Sequence, residues 1–271
     1  MGVFYNKDQW GLILGASSGI GLATAKKLAL EGMNLIIVYR ERRARQKEID
    51  QLWAGLKKNK IKLIDFNLDA LSEIKRKEVI LKIKEKVGQN KIRLFMHSIA
   101  KGNLKLMTSL PKSNGMQYPP NHLTSSDFSF TSETMSYSLV TWLNDLIENK
   151  LLDDPSRVIA MSSSGDKRVW KGYAAVASAK ASLDAIIKYI AVEYSHLGVS
   201  ANIIEAGVTV TPSMKLIPGS DEIIKKVQER HPRNRLTLPE DIANVVYLIC
   251  REEASWINGS RIVVDGGESL V

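Results

Sequence analysis

Short apolar runs alternate with amphipathic, helix-length segments along the 271 residues. That alternation predicts an α/β chain with a doubly wound parallel sheet of about seven strands and helices on both faces. Two further observations support the prediction. Glycine and polar residues gather where the apolar runs end, and in open parallel sheets the carboxyl ends of the strands are the ligand-binding rim. A composition of 44% hydrophobic and 25% charged residues belongs to a chain that can bury a sizeable core. We therefore expect one domain over residues 1–271.

The first run, Trp10 to Leu14, leads into Gly15-Ala-Ser-Ser-Gly-Ile-Gly21 and then an amphipathic helix ending at Gly32. Strand, glycine-rich turn and helix together make a dinucleotide phosphate site of the Rossmann type. Gly15 permits the tight turn, Gly19 lets the backbone approach phosphate and Gly21 allows close helix packing. Ser17, Ser18 and Ile20 belong to the same turn, and the helix N-terminus offers free N–H groups to the anion.

The second strand is Asn34 to Val38. An acidic residue at this strand end selects NAD by bonding the ribose 2′-hydroxyl, whereas this chain has Tyr39, Arg40, Glu41, Arg42 and Arg43. A guanidinium matches a 2′-phosphate, so NADPH rather than NADH is the expected cofactor, with Arg40 the first candidate. Arg42 and Arg43 either join it or begin the exposed face of the next helix.

A strand at Ile61–Phe66 ends in Asn67, Leu68 and Asp69, where an adenine pocket would lie. The Lys-rich helix Leu71–Val87 follows, then a fourth strand, Ile92–Met96, ending in His97, Ser98, Ile99 and Ala100. Residues 101–130 are too long for a plain connection and are expected to cover a site. Next come a helix at Thr131–Asn149 and a strand at Arg157–Met161 running into Ser162, Ser163, Ser164 and Gly165. After it we expect a helix from Gly172, a strand at Val199–Ile204, and a Gly-, Pro- and Thr-containing loop from Gly207 to Leu238. A helix at Pro239–Arg251 and a strand at Arg261–Asp265 close the chain. Gly207, Val208 and Thr211 fall at the rim.

Tyr173 and Lys180 are seven residues apart at the start of the helix after the fifth strand. At about 100° per residue they return to nearly one face, two turns apart. The ammonium favours the phenolate and helps the phenol stabilise negative charge growing on a nearby oxygen.

Composition sets limits. No apolar run approaches the roughly 18 residues that span a bilayer, and MGVFYNKDQW lacks the basic-then-apolar order of a secretory signal. Asn6 stands where an N-myristoylation motif needs Ser or Thr. The single cysteine, Cys250, excludes a disulfide framework, and there is no Cys/His metal spacing. A cytoplasmic setting without a metal is the expectation. The net charge of +9, concentrated between Lys57 and Arg93, is either a solvated helix face or attracts an anionic cofactor or acidic carrier protein. Nucleic acid is disfavoured, because the basic residues are not interleaved with aromatics.

Taken together, GASSGIG, the serine-rich fifth strand end, Tyr…Lys, Asn202 with Ala206-Gly207, and Val264-Asp265-Gly266-Gly267 resemble the short-chain dehydrogenase/reductase family over nearly the whole chain. Three departures point to its enoyl-acyl-carrier-protein reductase subgroup. The tyrosine sits one turn further back than the usual site, which here is Val176. His97-Ser98-Ile99-Ala100 replaces Asn-Asn-Ala-Gly, and Ser136-Tyr137-Ser138 stands where the family has a helix asparagine. The resemblance implies NADPH-dependent reduction of trans-2-enoyl thioesters, carried by acyl carrier protein or coenzyme A, in fatty acid biosynthesis. It implies that Tyr173 bonds the enolate oxygen and Lys180 the nicotinamide ribose. Ser162 matches the family's serine, Ser163 replaces a second tyrosine as in an NADPH-using branch, and Thr211 keeps a cofactor-contacting position. Glu205 and Val208 stand where a small residue and proline are more usual, and Leu14 replaces threonine. A homotetramer is the family habit. Segments 101–130 and 208–238 are expected to shape the acyl tunnel, the second as a mobile flap. Met107, Met116 and Met214 either line that tunnel or pack ordinarily. The competing expectations are a 3-oxoacyl or other carbonyl reductase, and a cofactor-sensing protein without turnover.

Overall fold

The computed structural model describes residues 2–108 and 122–271. Among them, seven parallel strands form one sheet in the order β3-β2-β1-β4-β5-β6-β7. The strands are β1 Trp10–Leu14, β2 Asn34–Tyr39, β3 Leu63–Asn67, β4 Ile92–His97, β5 Leu152–Ser163, β6 Val199–Ala206 and β7 Arg261–Val264. β1, β2, β4 and β6 are buried at every position, as expected of strands covered on both faces.

Alternation along the strands divides the core in two. Ile13, Leu35, Ile37, Leu94 and Ile159 face a layer made by α1 (Gly19–Leu30), α2 (Gln46–Lys57) and α8 (Pro239–Ile249). Leu12, Leu14, Ile36, Phe95 and Val158 face α3 (Glu73–Val87), α5 (Ser138–Glu148) and α6 (Ala174–Glu193). Helix α4 (Ser125–Ser132) begins with a Thr124–Asp127 capping box and runs through a π turn at Glu133–Tyr137 into α5. No helix of the described residues is long and apolar enough to cross a membrane.

Most elements follow the sequence pattern to within a few residues, but the Gly207–Leu238 stretch does not. It contains α7, Ser220–Arg230, whose Ile223, Ile224 and Val227 recur at helical spacing behind acidic residues Asp221 and Glu222 in the first turn. The flanking glycine and prolines had masked this short period. Helix α7 packs over the strand ends rather than in a sheet-covering layer, so only Ser220 and Val227 are buried.

Strand register aligns the rim. Tyr39 pairs with Asn67, Leu14 with both Val38 and His97, and Ser163 with Ala206. The chain turns from β1–β2–β3 to β4–β5–β6 between β1 and β4, which opens the crevice where such sheets bind ligands.

Candidate active site

Backbone contacts make the turn after β1. Gly15 has φ +89°, and a side chain on it would meet the Ser98 carbonyl oxygen at 2.5 Å. On Gly21 it would meet the Gly15 oxygen at 2.2 Å, so α1 is drawn against the turn. Gly19 has φ +54°, and a side chain on it would meet the Thr211 methyl group at 3.2 Å. Ser18 precedes α1 without a side-chain capping bond, and the first turn of α1 holds no acidic residue. Its N–H groups are left for an anion, and these features fit a dinucleotide pyrophosphate.

The ends of β2 and β3 are tied together by hydrogen bonds. Asn67 accepts from Glu41 N at 3.0 Å and donates to the Glu41 carbonyl at 3.2 Å, and Leu68 N donates to the Tyr39 carbonyl. Arg40 is 60% exposed and pairs with Asp69 at 2.7 Å. Arg42 and Arg43 are exposed. Tyr39 departs from expectation. Its side chain turns into the core, donating to Asp65 at 3.0 Å with its ring edge-on to Trp53, so only its backbone reaches the rim.

Helix α6 buries a stripe made by Ala175, Val176, Ala179, Lys180, Leu183, Ile187 and Ile190. Lys180 occupies one position of that stripe, so packing itself carries its ammonium inside, where it donates to the Met161 carbonyl at 2.6 Å. Burial pushes this lysine down from 10.5 to about 8, and the Asp166 carboxylate opposes that shift. Tyr173 stands at the helix N-cap, half-buried. Burial pushes its phenol up, a hydrogen bond with Ser163 pulls it down, and Asp166 pushes it up again.

Of the two serines, Ser163 is the one beside Tyr173, and its Oγ also accepts from Gly165 N at 3.4 Å. Ser162 is buried, and its hydroxyl turns to the Ser163 carbonyl at 3.4 Å. Both line the central cavity. His97 is buried below the rim, bonded to Ser138 at 2.8 Å. Burial, reinforced by Lys180, pushes its imidazole down to about 3, so it is neutral near pH 7.

The cavity has a volume of about 860 Å³, within the usual range of small-molecule and cofactor sites. Ile20, Ala100, Ser162, Ser163, Tyr173, Gly207, Val208 and Thr211 line it. Ser98 and Ile99 lie further back, Ile99 packed against the core. Leu104 and Met135 wall one side, and Met214, Ile217, Ile223 and Val227 the other. Met214 lines the cavity, Met107 is 67% exposed on the surface, and Met116 lies outside the described residues. The 208–238 segment is tied at two points: Trp170 Nε1 donates to the Pro218 carbonyl at 3.0 Å, and Thr209 bridges to Thr237.

Sequence reasoning missed two groups here. Arg261 of β7 holds Asp166 through two 2.7 Å contacts, Glu205 at 2.5 Å and the Ser163 carbonyl at 3.2 Å, which fixes the serine turn. Glu268 lines the cavity and accepts from Val208 N at 2.7 Å. Only the departures at Glu205 and Val208 hinted at either group.

A family model for enoyl-(acyl carrier protein) reductase matches residues 15–269. A 1-cyclohexenylcarbonyl-CoA reductase of Streptomyces collinus is 26% identical over 98% of this chain and 89% of its own. Enoyl-[acyl-carrier-protein] reductases named FabI are similar too. The NADPH enzyme of Staphylococcus aureus is 26% identical over 92% of this chain and 91% of its own. For the NADH enzyme of Bacillus subtilis the values are 27%, 92% and 90%. The fold matches that of the Bacillus cereus enoyl-acyl carrier protein reductase, solved with NADP+ and an indole naphthyridinone. The TM-score is 0.83 at 22% identity, covering 100% of this chain and 99% of that one. The chain belongs to the enoyl-(acyl carrier protein) reductase family of short-chain dehydrogenases/reductases, and is an oxidoreductase with a nicotinamide cofactor.

Proposed function

We propose that this protein reduces the 2,3-double bond of trans-2-enoyl thioesters, with NADPH as reductant, in fatty acid biosynthesis. The observation that carries this reading is the placement of Tyr173. Val176, the position nearer to Lys180, is packed with Met135, Ala179 and Leu104, so the phenol enters the cavity one helical turn, about 5 Å, further out. In an enoyl thioester the bond change begins at C3, and charge appears on the thioester oxygen three bonds away, two further than in a ketone. A donor displaced along the helix suits that remote oxygen better than a ketone oxygen at the hydride-accepting carbon.

When bound, the reduced nicotinamide supplies hydride to C3. Tyr173 donates a hydrogen bond to the thioester oxygen as negative charge grows there, Ser163 orients the phenol, and C2 then takes a proton from solvent as the enolate collapses to the saturated thioester. Lys180, fixed on the Met161 carbonyl, supplies positive charge beneath the phenol and a donor for the ribose. A preorganised donor of this kind is worth about 3 kcal/mol of barrier. Ser162 supports the turn from behind. The wall from Leu104 to Val227 receives the acyl chain, and the 208–238 cover opens to admit it.

Arg40 is our choice for the 2′-phosphate. Its pairing with Asp69 is exposed, and such pairs are worth at most about 1 kcal/mol. A phosphate therefore competes for it effectively. The acyl carrier is acyl carrier protein or coenzyme A. We also propose a homotetramer, which sedimentation velocity would test.

The decisive assay follows oxidation of NADPH and of NADH with crotonyl and acetoacetyl thioesters. Consumption of crotonyl thioester with NADPH supports the reading. Turnover of acetoacetyl thioester alone would make the protein a carbonyl reductase.

A further inference from the structure

Glu268 is the carboxylate in the cavity wall whose bonding is incomplete. It is 3% exposed and opens the single turn Glu268–Leu270 after the last strand. That turn is rigid, because Asp265 accepts from Gly267 N at 2.9 Å and from Ser269 N at 2.8 Å. One oxygen of Glu268 accepts from Val208 N at 2.7 Å. Val208 stands where relatives more often carry proline, so this N–H is one that proline would not have offered. Gly207 permits the approach, since a Cβ there would lie 2.8 Å from the same carboxylate oxygen and 2.4 Å from Thr237 Oγ1. The second oxygen of Glu268 has no hydrogen-bond partner among the described residues, and no cation pairs with the carboxylate. Unlike the Thr237 hydroxyl beside it, this oxygen is not sealed off, so a donor reaching the cavity wall can bond to it.

The position of that oxygen selects the donor. A dinucleotide held at the Gly15–Gly21 turn must run past Thr211, whose methyl group lies against Gly19, to bring its reactive ring to Tyr173. The chain from Ala206, which pairs with Ser163, to Thr211 brings Gly207, Val208 and Thr209 to the cavity wall, and Glu268 lines it beside Val208. A nicotinamide ring bears one N–H donor group, its carboxamide. We propose that Glu268 is a cofactor-holding residue whose second carboxylate oxygen accepts from the carboxamide amino group while the first fixes the Val208 loop. This rests on the nicotinamide reading above and adds the residue that sets the ring's rotation about its ribose bond.

The test compares binding of NADP+ with that of 3-acetylpyridine adenine dinucleotide phosphate, which keeps the carbonyl but has a methyl group in place of the amino group. Binding is read by quenching of tryptophan fluorescence, with no substrate present. Wild-type protein should prefer the carboxamide by roughly tenfold or more, the usual scale for a hydrogen bond to a charged group. Glu268→Gln can still accept from Val208 N but turns an N–H₂ to the cavity, so the preference should vanish or invert. Equal binding of the two dinucleotides by wild-type protein overturns the proposal without any variant being needed. An unchanged preference in a Glu268→Gln protein of wild-type melting temperature also overturns it, and assigns the free oxygen to another donor such as the amide of a pantetheine arm. Loss of enoyl reduction with the discrimination intact would reject the proposed substrate alone.

Discussion

The Lys180 ammonium donates to the Met161 carbonyl at 2.6 Å, which fixes a fully buried cation to the end of β5, immediately before the two serines. Helix α6 places the lysine and the strand supplies its anchor. The position of the Lys180 charge is therefore set by packing between two elements. Burial lowers the lysine from 10.5 to about 8, so its charge is conditional on pH.

That condition predicts the alkaline limb of the activity profile. Turnover should fall as pH rises through about 8, where Lys180 loses its proton and the phenol its supporting charge. The sign for stability is opposite. The unfolded lysine keeps its proton to about 10.5 while the folded one releases it near 8, so the native state gains stability between those values. Lys180→Arg, ionised throughout, should retain partial activity and lose the limb. A limb near 8 that persists in Lys180→Arg would assign the titration to another group.

Tyr173→Phe should lower turnover about 10²-fold or more while NADPH affinity stays within about twofold, because only the donor to the developing charge is removed. Single-turnover kinetics with a crotonyl thioester measure this. Ser163→Ala should give a smaller loss than Tyr173→Phe and exceed that of Ser162→Ala, whose hydroxyl turns to backbone.

Arg40 and Asp69 offer a paired test of cofactor choice. Arg40→Ala should weaken NADPH much more than NADH. Asp69→Asn frees the guanidinium from its 2.7 Å partner and should tighten NADPH by a few-fold. Titration calorimetry with both dinucleotides reads each effect, and equal loss of both in Arg40→Ala would remove Arg40 from the phosphate site.

Arg261→Met should be the most destabilising of these changes. It strips the cation from Asp166, leaves the nearly buried Glu205 to the half-exposed Lys167, and frees the Ser163 carbonyl. Removing one member of a buried charged network typically costs about 3–5 kcal/mol, which urea unfolding would measure. In any folded fraction the serine turn should loosen, and NADPH affinity should fall less than turnover.

Gly21→Ala tests the phosphate turn. The added methyl group would meet the Gly15 carbonyl oxygen at 2.2 Å, so α1 must move away. Loss of dinucleotide binding with a lower melting temperature is expected. A Gly55→Ala control, inside α2 with nothing within 4 Å, should leave dinucleotide binding unchanged and raise the melting temperature slightly.

The sequence by itself determined what is local or periodic. Apolar runs ending in glycine and serine marked the strands and their rim, GASSGIG marked the phosphate turn, and the Tyr173–Lys180 interval marked a shared helix face. Each is read over a few consecutive residues, where backbone geometry depends on neighbours. The tertiary structure alone decided what depends on which strands lie side by side. Arg261 meets Asp166 across 95 residues and Glu268 meets Val208 across 60, because β5, β6 and β7 are adjacent. It also turned Tyr39 inward and Ser163 toward Tyr173, since side-chain direction follows the packing on each face. Helix α7 was overlooked because the core it covers is the cavity, where a few apolar residues suffice.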